Sequence, residues 1–185
     1  MKKTLFFVSM IILVSCNSNQ PAPAAETAKP ATDSAAVAPT INSPYEIGYS
    51  SKFIMGNPKN AESILTLWKD YDNGNLSAHK DILADTFAAH LGGGAELRAT
   101  RDSAIGIIQK HRDALKTAID RVDAIMAVRS TDKNEDWVLI WGTEIDTHKD
   151  GKVDSVNLQE TWRINKDGKA DLLFQFERPF PAKKK

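Results

Sequence analysis

The sequence has one cysteine, Cys16, in 185 residues. No internal disulfide is possible, so the fold must be held by packing. Net charge is also lacking: 24 basic residues balance 24 acidic ones. Beyond the terminal Lys183-Lys184-Lys185 there is no basic stripe, which argues against a nucleic-acid partner. No set of His, Asp and Glu has metal-ligand spacing, so neither a metal nor another cofactor is expected. Nucleophile elbow and phosphate loop are both missing, and Gly92-Gly93-Gly94 lacks the residues that would make it one. The glycines show no internal repeat. The uncharged run Thr4–Val14 is shorter than the roughly 20 apolar residues that span a bilayer.

What the N-terminus does have is a basic start, Met1-Lys2-Lys3, then that short apolar run, then Leu13-Val14-Ser15-Cys16. This order describes a secretory signal peptide, and its last four residues resemble a bacterial lipobox. The resemblance implies cleavage before Cys16, lipid on its thiol and a membrane anchor; the alternative is an ordinary signal peptide with an incidental cysteine. Acyl chains hold by burying methylenes, at about 0.8 kcal/mol each. Residues 16–44 hold no aromatic residue and are rich in Ala, Pro, Ser and Thr, a composition that cannot offset chain entropy. They read as a linker spanning about 30 Å on average. The expected organisation is a signal peptide over 1–15, a lipidated linker over 16–44, one domain over 45–181 and a basic tail over 182–185. The expected address is the cell envelope. Nothing after Cys16 marks export to the outer surface, which favours the periplasmic side.

Within the domain, Ala61, Ile64, Leu65, Trp68 and Tyr71 follow the spacing of an amphipathic helix that Asn57-Pro58 starts and Asp72-Asn73-Gly74 ends. Leu76 to Ala84 reads as a second helix, and Phe87–Leu91 as a short strand. Thr100 caps a third helix with Ala104, Ile107, Ile108, His111 and Leu115 on its apolar face. After Ala118 the period becomes two, with strands over 121–129, 137–148, 153–165 and 170–177. Asp150-Gly151 and Asp167-Gly168 read as two-residue hairpin turns.

Those turns imply a register. Trp141 would face Glu160, Leu139 would face Trp162, and Thr143 would face Leu158. In the next hairpin Glu160 would face Gln175, Trp162 Leu173, and Leu158 Glu177. Alternation then puts Trp137, Leu139, Trp141, Leu158, Glu160, Trp162, Leu173, Gln175 and Glu177 on one face, against the helices. Val138, Ile140, Gly142, Glu144, Phe174 and Phe176 fall on the open face, where partial apolarity suggests a second subunit and hence a homodimer.

Helices around a short strand followed by four meandering strands resemble the nuclear-transport-factor-2-like superfamily. The stretches that carry the resemblance are LADTFAAHLGGGAELRATRDSAIGIIQKH and VLIWGTEIDTHKDGKV…LQETWRINKDGKADLLFQF. They are similar to the SnoaL-like pattern of helix, Asp-Phe, His, Gly-rich segment and helix. The implied fold is α+β: a cone of three helices on a curved, mainly antiparallel sheet. By similarity to the ketosteroid isomerase branch, His90 or Leu91 falls at the base position and Glu160 at that of the protonated acid. The tyrosine position falls near Leu67, which has no hydroxyl.

His90 is the candidate base, since an imidazole titrates near neutral pH; it is otherwise a hydrogen-bonded residue at a strand end. Glu160 is a candidate neutral acid, or a structural partner of Gln175 or Trp141. Trp141, Leu158, Trp162, Leu173, Gln175 and Glu177 are pocket-lining candidates, and His111 a core histidine. The missing tyrosine favours a pocket that binds a small, mainly apolar molecule. The alternatives are an isomerase, cyclase or dehydratase using His90 and Glu160, and a dimeric interaction module.

Overall fold

The computed structural model describes residues 38–180. Cys16, the signal peptide, most of the linker and the basic tail lie outside the described residues. The apolar core of the described residues runs from Ile64 to Leu173.

The elements run β1 (Phe53–Met55), α1 (Pro58–Asn73), β2 (Leu83–His90), β3 (Glu96–Thr100), α2 (Arg101–Ala114), β4 (Leu115–Ser130), β5 (Glu135–His148), β6 (Val153–Ile164) and β7 (Ala170–Pro179). All seven strands form one sheet in the order β1-β4-β5-β6-β7-β2-β3. Every pairing is antiparallel except β2 with β7. The two α-helices pack on one face, giving a mixed α+β fold.

Helix α1 forms as its sequence implies. The Asn57 side chain accepts from the Lys59 amide at 3.0 Å, Pro58 takes the first turn, and Gly74 ends the helix at φ 69°. Ile64, Leu67 and Trp68 enter the core, and each such side chain contributes about 1.5–3 kcal/mol.

The expected second helix is not formed. A single 3-10 turn, Lys80–Ile82, stands in its place, and β2 begins at Leu83. Leu76 and Leu83 are the buried anchors there, too few for a helical stripe. In α2 the apolar face is rotated from expectation. Ile105 is buried while Ile107 is 54% exposed, and Leu115 already belongs to β4. Arg112 lies on the buried side of the helix, its guanidinium turned to the last carbonyls of α1 and donating to Tyr71 O at 2.8 Å and Asp72 O at 2.9 Å.

The turns decide the faces. His148 donates to Lys152 O and Gly151 to His148 O, leaving three residues in the loop with Gly151 at φ 88°. That is a three-residue hairpin with a left-handed closing glycine, not a two-residue turn. The register moves by one, so Glu160 pairs with Ile140, Trp141 with Gln159, and Trp162 with Val138. A one-residue slip exchanges faces: Val138 and Ile140, both fully buried, face the helices, whereas Trp137, Leu139 and Trp141 lie on the open face. The second hairpin has the same three-residue loop, closed by Asn165 and Lys169. A bulge between Arg163 and Ile164 restores the expected alignment beyond it, with Trp162 opposite Leu173, Glu160 opposite Gln175 and Leu158 opposite Glu177.

Candidate functional site: a carboxyl cluster inside the cup

Two sets of polar groups lie between helices and sheet. The deeper one centres on Glu160, which is 4% exposed. The indole N–H groups of Trp68 and Trp162 donate to its Oε2 at 2.7 and 2.9 Å, and the Gln175 amide donates to Oε1 at 2.9 Å. Burial pushes this carboxyl's pKa up against the pull of those donors. Both oxygens are taken, so Glu160 acts as the pin that fixes two indoles and an amide. Trp68 reaches it because Gly142 has no side chain: a Cβ there would stand 2.9 Å from the Trp68 ring and 2.4 Å from the Arg121 carbonyl.

Leu158, Trp162 and Leu173 are buried around Glu160. Gln175 and Glu177 follow on β7 beside Gly92, where an added Cβ would lie 2.3 Å from the Glu177 carboxyl carbon. Trp141 is not among them; the three-residue loop puts it on the far side of the sheet. His90 is also on the far side, because Phe87 and Ala89 take the buried positions of β2. Its ring stacks on Phe174 at 4.9 Å, and Nδ1 lies 3.2 Å from Glu96 Oε1. The sheet therefore separates His90 from Glu160. Leu91, the other residue at that position, packs against the core and carries no titratable group.

The second set was hidden by the register. Glu144 of β5 pairs with Asp120 of β4, and Asp146 follows two residues along the same inner face. The Asp146 carboxyl stands beside that of Glu144, and the carboxyl of Asp72, at the end of α1, beside that of Asp120. Asp72 also accepts from the Asp120 amide at 2.8 Å. Burial, reinforced by the neighbouring carboxylates, pushes Asp120 up to about 8 and Glu144 up to about 9. Asp120 and Glu144 thus hold their protons at neutral pH. Asp120 Oδ1 and Asp146 Oδ1 are buried and find no hydrogen-bond donor among the described residues.

Tyr71 faces this cluster from α1, one turn beyond Leu67. Its hydroxyl lies 3.1 Å from Nδ1 of His111 on α2. Burial and the surrounding acids Glu144, Asp146 and Asp120 hold the phenol well above its ordinary pKa, so it stays a proton donor. A phenol, an imidazole and a group of carboxyls, two of them held protonated, therefore meet at one half-buried spot. Such a set can deliver a proton to one atom of a bound molecule and remove one from another. No group of acids and histidines among the described residues has metal-binding geometry.

Neither a family model nor a curated relative matches the sequence. Solved structures do match in fold. IdmH of Streptomyces antibioticus, a candidate polyketide cyclase, is 16% identical with a TM-score of 0.51, over 64% of this chain and 91% of that one. SalBIII, an epoxide hydrolase/cyclase-like enzyme of pyran ring formation in the polyether salinomycin, is 12% identical with a TM-score of 0.54, over 65% and 91%. An NTF2-like protein of unknown function from Exiguobacterium sp. 255-15 is 16% identical with a TM-score of 0.52, over 63% and 98%. At these identities the likeness is one of fold.

Proposed function

We propose that this chain, which has the nuclear-transport-factor-2-like fold, is an acid–base enzyme of the isomerase, cyclase or dehydratase kind, carried by its carboxyl cluster. The observation that supports this most is the gathering of Asp72, Asp120, Glu144 and Asp146 on the inner face, with Asp120 and Glu144 pushed up by burial, beside the Tyr71–His111 pair. Structural burial of acids is costly, and Asp120 Oδ1 and Asp146 Oδ1 are buried here with no donor among the described residues. A substrate hydroxyl would satisfy the orphaned Asp120 and Asp146 oxygens.

In this reading the substrate is a mainly apolar molecule bearing a carbonyl, epoxide or hydroxyl. Protonated Glu144 donates to the oxygen that develops negative charge. Its neighbour Asp146 accepts a proton from carbon or hydroxyl, and Tyr71 hydrogen-bonds the same oxygen while His111 orients the phenol. Each proton removed is returned, so no external oxidant or reductant is required. A candidate polyketide cyclase and an epoxide hydrolase/cyclase-like enzyme among the solved structures of like fold lend support as analogy. The domain works at a membrane, tethered through lipid on Cys16.

The test presents the protein with a panel of cyclic ketones, hydroxy-ketones and epoxides in heavy water. NMR then follows deuterium uptake, dehydration or ring formation. Turnover of a panel member should fall about 10²–10⁴-fold in Glu144→Gln and Tyr71→Phe, the range for loss of general acid–base catalysis. Turnover unchanged in both variants would refute the assignment.

A further inference from the structure

Arg112, in the last turn of α2, is only 8% exposed, and the proposed reaction leaves it without a role. No carboxylate stands within ion-pairing distance of its guanidinium among the described residues. A buried charge without a countercharge is costly. Its hydrogen bonds go instead to the end of α1, with Nε donating to Tyr71 O at 2.8 Å and Nη2 to Asp72 O at 2.9 Å. Those carbonyls carry the partial negative charge of a helix C-terminus.

Ending the helix does not by itself require a cation. The Gly74 amide donates to Asp70 O and Tyr71 O, and the Asn75 amide to Asp70 O. Gln109, on the same side of α2, serves the turn that follows: it donates to Gly74 O at 3.1 Å and accepts from the Leu76 amide at 3.0 Å. What Arg112 adds is a hold on two consecutive residues whose side chains both enter the carboxyl cluster. The Tyr71 hydroxyl lies 3.1 Å from His111 Nδ1, and Asp72 accepts from the Asp120 amide at 2.8 Å. His111 and Arg112 adjoin in the chain. One turn of α2 therefore grips Tyr71 at both ends, with an imidazole at the hydroxyl and a guanidinium at the carbonyl. The guanidinium charge also draws the phenol's pKa down, against the push of burial, Glu144, Asp146 and Asp120.

We propose that Arg112 is a positioning residue for the acid–base site: its two-pronged grip on the end of α1 fixes Tyr71 and Asp72 against the acids of β4 and β5. It acts through those two side chains and not on the substrate. The inference rests on the acid–base reading of the cluster and goes beyond it in naming what holds the two members from α1 in place. A guanidinium suits the task because its planar fork spans two acceptors, whereas an ammonium is a single point of charge.

The test compares the full chain with Arg112→Lys and Arg112→Met by carboxyl carbon NMR titration and by the nitrogen resonances of His111, neither of which needs a substrate. Asp72 is one of the groups that push Asp120 up to about 8. Once Asp72 drifts from the Asp120 amide, the Asp120 midpoint should fall by about 1 pH unit or more. Arg112→Lys should show this as Arg112→Met does, because lysine keeps the charge and loses the fork. Glu144, held up by burial and by acids of the sheet, should stay near 9 in both variants, marking an intact inner face. The His111 Nδ1 resonance should move toward its position in Tyr71→Phe. With any substrate that is turned over, kcat should fall about tenfold at unchanged KM, the mark of a group that does not bind the ground state. An Asp120 midpoint and a His111 resonance unmoved in Arg112→Lys overturn the grip. Asp120 and Glu144 falling together to about 4 in both variants show that Arg112 only holds the fold, and overturn it too. An Asp120 midpoint near 4 in the parent chain refutes the acid–base reading itself, and the proposal with it.

Discussion

A carboxyl that keeps its proton in the folded state makes stability depend on pH. Unfolded, Asp120 and Glu144 titrate near about 4; folded, they are pushed up to about 8 and about 9. Between those values the native state binds more protons than the unfolded one, so stability falls as pH rises. The contribution is complete below about pH 4 and lost as pH passes through 8 and 9. Each proton changes stability by at most about 1.4 kcal/mol per pH unit. The melting temperature should therefore fall from pH 5 to pH 9. Glu144→Gln, which has no proton to lose, should flatten that fall and melt above the parent near pH 9. Calorimetry across pH checks both. Glu160 acts differently at the same scale. Replacing it by leucine leaves the indole N–H groups of Trp68 and Trp162 without their acceptor, and unsatisfied buried donors cost about 1–3 kcal/mol each. Glu160→Leu should destabilise by about 2–5 kcal/mol in urea unfolding, and Glu160→Gln, which keeps an acceptor oxygen, by much less.

Among the elements, the hairpin loops govern the most. Lys149-Asp150-Gly151 adds one residue to the turn that Asp-Gly alone suggests, and that residue moves Val138, Ile140, Gly142 and Glu144 from the open face to the core side. Alternation was legible along each strand; which alternate set faced inward was not, because loop length is invisible in a dipeptide. β6 and β7 kept their expected faces only because a bulge at Arg163 offsets the second loop. Glu144 was thus placed outside, and Asp120 fell one residue before the strand expected over 121–129, because β4 begins earlier, at Leu115. Tyr71 was legible as part of the α1 stripe, but its hydroxyl's surroundings depend on strands some fifty residues or more away. Gly151, at φ 88°, should resist substitution: Gly151→Ala should cost about 1–2 kcal/mol, and Gly151→Asn less, by thermal unfolding. At Gly142 the obstacle is space rather than dihedral. Gly142→Ala drives a methyl into the Trp68 ring and should cost about 1–3 kcal/mol, with a change in near-ultraviolet tryptophan dichroism.

For the molecule as a whole, the two faces of one sheet carry separate chemistries. The inner face gathers protons around Glu144, and the outer gathers aromatic surface around Trp137 and Phe174. The fold class was legible because the order of helix, short strand, helix and meander survives errors of one residue. The His90–Glu160 pairing was not, because it required the correct side of the sheet. The proposed tether rests on the sequence of residues 1–44 alone. Cys16→Ser should leave the precursor unprocessed or release the chain from membranes, as fractionation followed by mass measurement would show; normal processing with membrane attachment would count against lipid on Cys16.

The central claim is that the inner face holds carboxyls that are still protonated at neutral pH. Its most direct measurement is a carboxyl carbon NMR titration of the domain, with signals assigned through Asp120→Asn and Glu144→Gln. Midpoints near 8 for Asp120 and near 9 for Glu144 are expected. Midpoints near 4 for both would mean ionised, solvated acids, and would contradict the account.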